Sequence, residues 1–395
     1  MSLVCKELGE LVDFKGGGTP SRNIEEYWGN LIPWATVKDL NEGITLTNTQ
    51  EFITELGLKN SASNLIPKGS IIIPTRMALG KVVISEIDVA INQDLKAVLV
   101  KNNELLDTKY LLWFLASNKE NIASMGKGAT VKGITLDQLR AIKVPLPPLA
   151  EQRRIVAILD QADELRQKRQ QAIKKLDQLL QATFIEMFGD PILNTKNWPS
   201  DKKLGDIADI VSGITKGRKI TGKSLREIPY LAVSNVQDKY LNLSVIKTIE
   251  ASDEEIERYK LQQGDLLLTE GGDPDKLGRG TLWNNEVDEC IHQNHVFRVR
   301  LTSKDFTPNY LNWIVGSEYG KRYFLKSAKQ TTGIASINMG QLKKLPLLIP
   351  PLDLQIQFDE RCNKFHQIKK QLAESYKDIN NLFKSLQNQA FSGNL

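Results

Sequence analysis

Two stretches of the chain carry apolar residues at helical spacing and contain no Gly or Pro. In the first, Ala150 to about Phe188, seven-residue spacing places Ile155, Ala162, Arg169, Leu176 and Thr183 at one seam position. Ile158, Leu165, Ala172 and Leu179 fall at the other, and Leu159, Ile173 and Leu180 widen the stripe. In the second, Phe358, Phe365, Leu372, Ile379 and Leu386 recur at every seventh residue, with Cys362, Tyr376 and Phe383 four after three of them. Pro147-Pro148 precedes the first stretch and Pro350-Pro351 the second, while Gly189 and Gly393 stop them, as helix-terminating residues should. Periodicity over about four heptads predicts two long helices that pair as a coiled coil. Roughly 150 residues connect them, so the pairing is expected to be antiparallel. Ahead of the first helix the pattern is one of short β-branched runs bounded by turn residues. Ile71–Pro74, Val82–Glu86 and Ala97–Val100 read as strands, and Asp107–Ser117 as a helix capped by Asp107 or Thr108.

This alternation is written twice. Leu8-Gly9-Glu10 matches Leu204-Gly205-Asp206 at an offset of 196 residues, which also carries Gly17 to Gly213, Thr19 to Thr215, Arg22 to Arg218 and Trp34 to Tyr230. With small slips, Gly69-Ser70-Ile71 matches Gly264-Asp265-Leu266, and Ile91-Asn92-Gln93 matches Ile291-His292-Gln293. Tyr110-Leu111-Leu112-Trp113 matches Tyr310-Leu311-Asn312-Trp313, and Pro148-Leu149 with Gln152 matches Pro351-Leu352 with Gln355. So long a period is a duplicated domain, not a solenoid. The expected boundaries are 1–149, 150–190, 191–351 and 352–395. Trp34 and Tyr230 read as core residues.

Composition adds limits more than direction. A net charge of +5 is a mild hint of an anionic partner. Cys5, Cys290 and Cys362 are scattered and suggest no disulfide framework or zinc cluster, which fits a cytoplasmic protein. Lys6, Glu7, Glu10 and Asp13 argue against a secretory signal, and no apolar run is long enough to span a bilayer. Gly217-Arg218-Lys219-Ile220-Thr221-Gly222-Lys223-Ser224 fits the phosphate-binding loop of nucleotide hydrolases, which would make the chain a nucleotide-dependent enzyme. Pro229, five residues later, leaves little room for the helix that this motif requires. With three histidines and no convincing constellation, neither a catalytic nor a metal site is expected.

The order of a variable α/β domain, Pro-Pro-Leu-x-x-Gln and a long helix, all repeated, resembles the specificity subunit of type I restriction–modification systems. The resemblance rests on Gly17-Gly18-Thr19-Pro20-Ser21, Tyr27-Trp28-Gly29, Ile32-Pro33-Trp34, and Pro145 through Val156 with its Pro-Leu-Pro-Pro-Leu-Ala-Glu-Gln run. It implies an α+β fold: two duplicated α/β target recognition domains separated by two long antiparallel helices forming a coiled coil. It further implies a non-catalytic subunit that reads an asymmetric bipartite site on double-stranded DNA. Two methyltransferase subunits and restriction subunits would dock on it, and S-adenosylmethionine, ATP and Mg would sit on those partners, with no cofactor on this chain. A scaffold whose duplicated domains bind protein is the remaining alternative.

A helix over Ala150–Phe188 would span ~58 Å, against about 34–36 Å between half-sites one DNA turn apart. Such a rod could hold two readers along a duplex. Lys and Arg serve phosphates, whereas Arg, Asn and Gln serve base edges. The candidate DNA-binding residues are Thr19, Ser21, Arg22, Lys38, Arg76, Lys81, Lys127 and Lys132 in the first domain. In the second they are Lys216, Arg218, Lys219, Ser234, Asn235, Lys276, Arg279 and Gln330. Ile155, Ile158, Leu165, Leu176 and Leu179 are expected on the coiled-coil seam, facing Phe358, Phe365, Leu372, Ile379 and Leu386.

Overall fold

The structure, a computed structural model, describes residues 4–40, 43–128, 132–218, 224–272, 277–331 and 334–395, without the side chains of 330, 331 and 334. The chain divides into two compact units, residues 1–171 with 373–395, and residues 172–372.

In the first unit, a five-stranded sheet takes the order Val12–Gly16, Leu95–Val100, Ile71–Pro74, Val83–Ser85, Thr45–Leu46. A four-stranded sheet takes the order Glu51–Ile53, Trp28–Ala35, Val89–Ile91, Leu65–Ile66. Strand side chains alternate between faces, and here both faces are covered. Ile71, Ile73 and Val98 pack on the helix Thr108–Ser117 through Tyr110, Leu111, Trp113 and Phe114. Ile72, Ala97 and Leu95 join Leu40, Val89 and Ile91 on the opposite face. That is why these strands read as continuous apolar runs. Asp107 caps the helix, its carboxylate accepting from the amides of Lys109 and Tyr110.

The second unit repeats the plan. Its larger sheet has the order Ala208–Ser212, Val296–Leu301, Leu266–Thr269, Gly280–Leu282. Leu266, Leu268, Phe297 and Val299 pack on Tyr310, Trp313 and Phe184, while Leu267 and Val296 meet Trp283 on the other face. Beside it stands a three-stranded sheet of Lys247–Ala251, Arg226–Leu231 and Ile291–His292, and smaller strand pairings are present as well.

The central helix runs Leu149–Phe188 and the C-terminal helix Leu352–Ser392. Each stops at a glycine with φ of +79°, Gly189 and Gly393, the left-handed turn that favours glycine. Within the first unit, Arg154 donates to the carbonyl of Leu395 (2.7 Å) and Arg166 stands over the ring of Phe383 (5.0 Å). Within the second, Lys369 pairs with Asp177 (2.6 Å) and Phe184 meets Phe358 (5.5 Å between ring centroids). The start of each helix therefore lies beside the end of the other, and the pair is antiparallel.

The buried stripe follows the widened pattern at Leu159, Leu180, Cys362 and Phe383 and departs from the strict seven-residue seam. Ile155, Leu159, Leu180, Phe184, Phe188, Phe358, Cys362, Phe383 and Ala390 are buried. Ile158, Leu176, Phe365, Leu372, Ile379 and Leu386 are half-buried, and Leu165 and Leu179 are 48% and 53% exposed. The physical reason is that each helix end serves two partners. It packs on its own unit's sheet and helices as well as on the other long helix, so the stripe turns toward the domain core and away from a strict seam. Among the described residues, no helix is long and apolar enough to cross a membrane.

Candidate nucleic-acid interface

One polar frame is built twice. Gly17 lies so close to the first unit's parallel strand pair that a Cβ would collide with the carbonyl of Ile91, and Gly213 meets the carbonyl of His292 in the same way. The amide of Gly18 donates to Ile91 (3.0 Å) and that of Ile214 to His292 (2.8 Å). These bonds, with the pairings Ala35 to Ile91 and Leu231 to His292, correct the alignment drawn from the sequence. Ile91 corresponds to His292, so Gln93 corresponds to Asn294 and not to Gln293. Hydrogen-bond register, not letter identity, decides equivalence in a sheet.

The corrected register brings loops together. The amide of Thr75 donates to Asp94 (2.7 Å), and that of Glu270 to His295 (3.0 Å). In the first unit Gly133 bridges to both Arg76 and Lys127, and the amide of Met77 donates to Lys132 (3.2 Å). In the second, Ser336 pairs with both Gly271 and Lys329. Thr19 donates to the side-chain oxygen of Gln93 (2.5 Å), and Arg76 stands 3.8 Å from Asp94. Thr19, Arg76, Lys127 and Lys132 thus gather at one cleft, whose walls include Thr75, Arg76, Gln93, Lys96 and Thr135. Lys96 donates to the carbonyl of Gln93 (3.1 Å), and burial holds its ammonium pKa below the usual lysine range.

At the corresponding place in the second unit, Lys216 is exposed after Ile214, whose carbonyl accepts from the amide of Asn294 (3.0 Å). His295 Nδ1 and Glu270 Oε2 lie 2.6 Å apart. Arg279 reaches the side chain of Gln237 (3.1 Å), which donates to the carbonyl of Ser234. Lys219 and Lys276 lie outside the described residues, as does the side chain of Gln330.

The remaining candidates stand apart from these clefts or are engaged within the fold. Ser21, Lys38 and Lys81 are exposed, and Lys81 donates to the carbonyl of Leu40 (2.7 Å). Arg22 makes a two-pronged bond to Glu51 (2.6 and 2.8 Å) and lies 3.8 Å over the ring of Trp28. Arg218 makes the same fork on Glu255 (2.5 and 2.7 Å) and donates to the carbonyl of Glu250. The two arginines matched in sequence are therefore matched in fold, each with its planar fork on a carboxylate. Those bonds raise both guanidinium pKa values, and Arg22 lowers that of Glu51. Asn235 needs correction as a base-reading candidate. It is 4% exposed, accepts from the amide of Ala232 and donates to the carbonyls of Asn242 and Val245. Asp39 closes the corresponding turn in the first unit by accepting from Thr36. Both brace a turn, which a sequence of exposed-looking polar residues cannot show. Trp34 and Tyr230 are core residues, 2% and 4% exposed.

The sequence reading missed Gln93, Lys96, Glu270, Asn294, His295 and Lys329. The signal present was the pair of turns Asn92-Gln93-Asp94 and Gln293-Asn294-His295, each directly before a long strand. The phosphate-loop-like segment is mostly outside the described residues, and the element following it is the strand Arg226–Leu231, not a helix.

His292 is wholly buried; Nδ1 donates to the carbonyl of Val296 (2.8 Å) and Nε2 has no hydrogen-bond partner among the described residues. Burial pushes its pKa down to about 4. Its folded pKa lies below the unfolded value of about 6.5, so protonation favours unfolding. Stability from this group is complete above pH 6.5 and falls as pH drops toward 4, by about 3 kcal/mol in all. Urea midpoints at pH 7.5, 5.5 and 4.5 should therefore fall more steeply for the native chain than for His292→Gln. Equal slopes would show that His292 contributes nothing to acid lability.

The comparisons agree with this architecture. The family model described as type I restriction modification DNA specificity domain matches residues 3–175 and again 196–375. The type I restriction enzyme MjaIX specificity subunit of Methanocaldococcus jannaschii is 28% identical over 252 residues, 58% of this chain and 56% of that protein. A type I restriction enzyme specificity subunit of Escherichia coli is 40% identical over 168 residues, 40% of this chain and 41% of that protein. The chain thus spans about half the length of these relatives. A crystal structure of a type I restriction–modification S subunit from M. genitalium has the same fold, with a TM-score of 0.55 at 14% identity, covering 99% of this chain and 96% of that one. Two matched domains, each ending in a long helix, place this chain in the type I restriction modification DNA specificity family.

Proposed function

We propose that this chain is the DNA-recognition subunit of a type I restriction–modification complex, reading an asymmetric bipartite site and carrying no catalysis itself. The observation that supports it most is the doubled frame: one backbone arrangement, two different sets of side chains. A duplicated scaffold with different contacts suits two different half-sites on one duplex. Lys127, Lys132, Lys216 and Lys329 would neutralise phosphates, and the amides of Gln93 and Asn294 would meet base edges.

The long helices would serve the partners. Leu165 and Leu382 in the first unit, and Leu179, Ile356 and Ile368 in the second, are large apolar side chains left 43–59% exposed. Such patches suit docking of methyltransferase subunits, with restriction subunits joining them. S-adenosylmethionine, ATP and Mg belong on those partners in this reading, and the complex works in the cytoplasm. Nothing favours the nucleotide-hydrolase or scaffold alternatives.

Genome-wide modified-base sequencing of the host, with and without this chain, tests the proposal. Methylation at one asymmetric bipartite motif should vanish on deletion. An unchanged methylome in a host whose methyltransferase subunit is expressed would sink it. DNA binding by the assembled complex should also weaken linearly on a log–log plot against salt, by about 0.9 per phosphate contact.

A further inference from the structure

If the chain reads DNA as proposed above, positions shared by the two clefts suit phosphate contact, which is the same at every site, and positions that differ suit base choice. Lys127 and Lys329 are shared: Lys127 bridges to Gly133, and Lys329 pairs with Ser336 at the equivalent place. Four other positions differ in a coherent way. Thr75 of the first unit is replaced by Glu270, Arg76 by Gly271, Asp94 by His295, and Lys96 by the buried Phe297. The first cleft is therefore cationic and rich in donors. The second loses both cations at these positions, and its carboxylate moves from the Asp94 position to that of Thr75, as Glu270.

Arg76 is the reader this frame offers in the first unit. Its side chain is 65% exposed and its ion pair to Asp94 is loose at 3.8 Å. Arg22 and Arg218, by contrast, have their forks closed on carboxylates. A free planar fork with parallel donors matches the two acceptors that guanine presents in the major groove, N7 and O6. Glu270 is the counterpart in the second unit. His295 holds Oε2, and Oε1 has no partner among the described residues. A carboxylate beside a polyanion is repelled by phosphates, and its favourable contact with DNA is an exocyclic amino group, on cytosine or adenine.

We infer that the two clefts read base edges of opposite polarity, Arg76 accepting only an acceptor-bearing guanine edge and Glu270 only an amino-bearing base. The test is the methylome written by the assembled methyltransferase carrying the native chain, Arg76→Ala, Arg76→Lys or Glu270→Gln. Arg76→Ala and Arg76→Lys should relax one guanine position of one half-site by about 10-fold to 100-fold and leave the other half-site unchanged. The lysine variant keeps the charge and loses the fork, which separates base reading from phosphate attraction. Glu270→Gln should relax one position of the other half-site, and the base specified there by the native complex distinguishes cytosine from adenine. A native bipartite motif that survives all three variants unchanged, or is only written more weakly, overturns the inference and leaves the proposed function standing. Absence of any bipartite motif for the native complex overturns both.

Discussion

Phe184→Ala is expected to lower the stability of the second unit by about 3–5 kcal/mol, the range for truncating a buried aromatic. Phe184 is 2% exposed and closes an aromatic cluster in which its ring lies 5.0 Å from Phe188, 5.8 Å from Trp313 and 5.5 Å from Phe358. Those partners come from the central helix, from the helix Pro308–Gly316 and from the C-terminal helix. Removing the ring opens a cavity at a place where three helices meet, and long helices cannot collapse into it without shifting along their length. Denaturant unfolding of the full chain, followed by tryptophan fluorescence, checks this. A loss below about 1 kcal/mol would show that the cluster repacks around the void. Methylation at the bipartite motif should fall with it, because the helix pair carries the proposed docking face.

Replacing Gln152 or Gln355 with Leu should be comparably damaging, at about 3 kcal/mol or more each. Both side chains are wholly buried. The Gln152 carbonyl accepts from the amide of Asp107 (2.9 Å), and its amide donates to the carbonyls of Leu105 and Pro147 (2.9 Å each). Gln355 does the same with the amide of Thr307 (3.0 Å) and the carbonyls of Asp305 (3.0 Å) and Pro350 (2.9 Å). Each glutamine thus joins three segments: the loop before the helix Thr108–Ser117 or Pro308–Gly316, the proline turn, and the first turn of a long helix. Leucine fills the volume and strands one donor and two acceptors away from water, at roughly 1–3 kcal/mol per group. Gln152→Glu is the informative control. It keeps the acceptor for Asp107 and loses the donors, so it should be damaged as well, more so at neutral pH than at pH 4. If Gln152→Leu and Gln355→Leu both unfold like the native chain, water reaches these groups and the joint is dispensable.

The glutamines also show why the duplication could be read from the sequence. Pro-Pro-Leu-x-x-Gln is short and local, and every element of it is needed at fixed spacing: the prolines stop the chain from entering the helix early, and the glutamine must return to them from the first turn. Gly17 and Gly213 carry a different kind of signal, since the carbonyls of the distant Ile91 and His292 occupy the space of a side chain and leave room only for glycine. Helix ends at Gly189 and Gly393, the Asp107 cap and the buried strand Ile71–Pro74 are set by residues within a few positions of where they act.

What the sequence by itself determined was therefore the repeat, the two long helices, their antiparallel pairing and the places of three strands in the first domain. These depend on periodicity and on steric rules that operate along the chain. Tertiary structure alone decided which polar side chains are available. Arg22, Arg218, Asn235 and Arg76 look alike as letters, yet Glu51, Glu255 and a turn engage the first three, and Arg76 keeps its fork open. It also decided the register that sets Gln93 against Asn294, and the face on which Leu165 and Leu179 lie. A hydrogen-bond partner dozens of residues away leaves no local trace in composition or period. A side chain's freedom is settled only when the chain folds back and brings that partner to it.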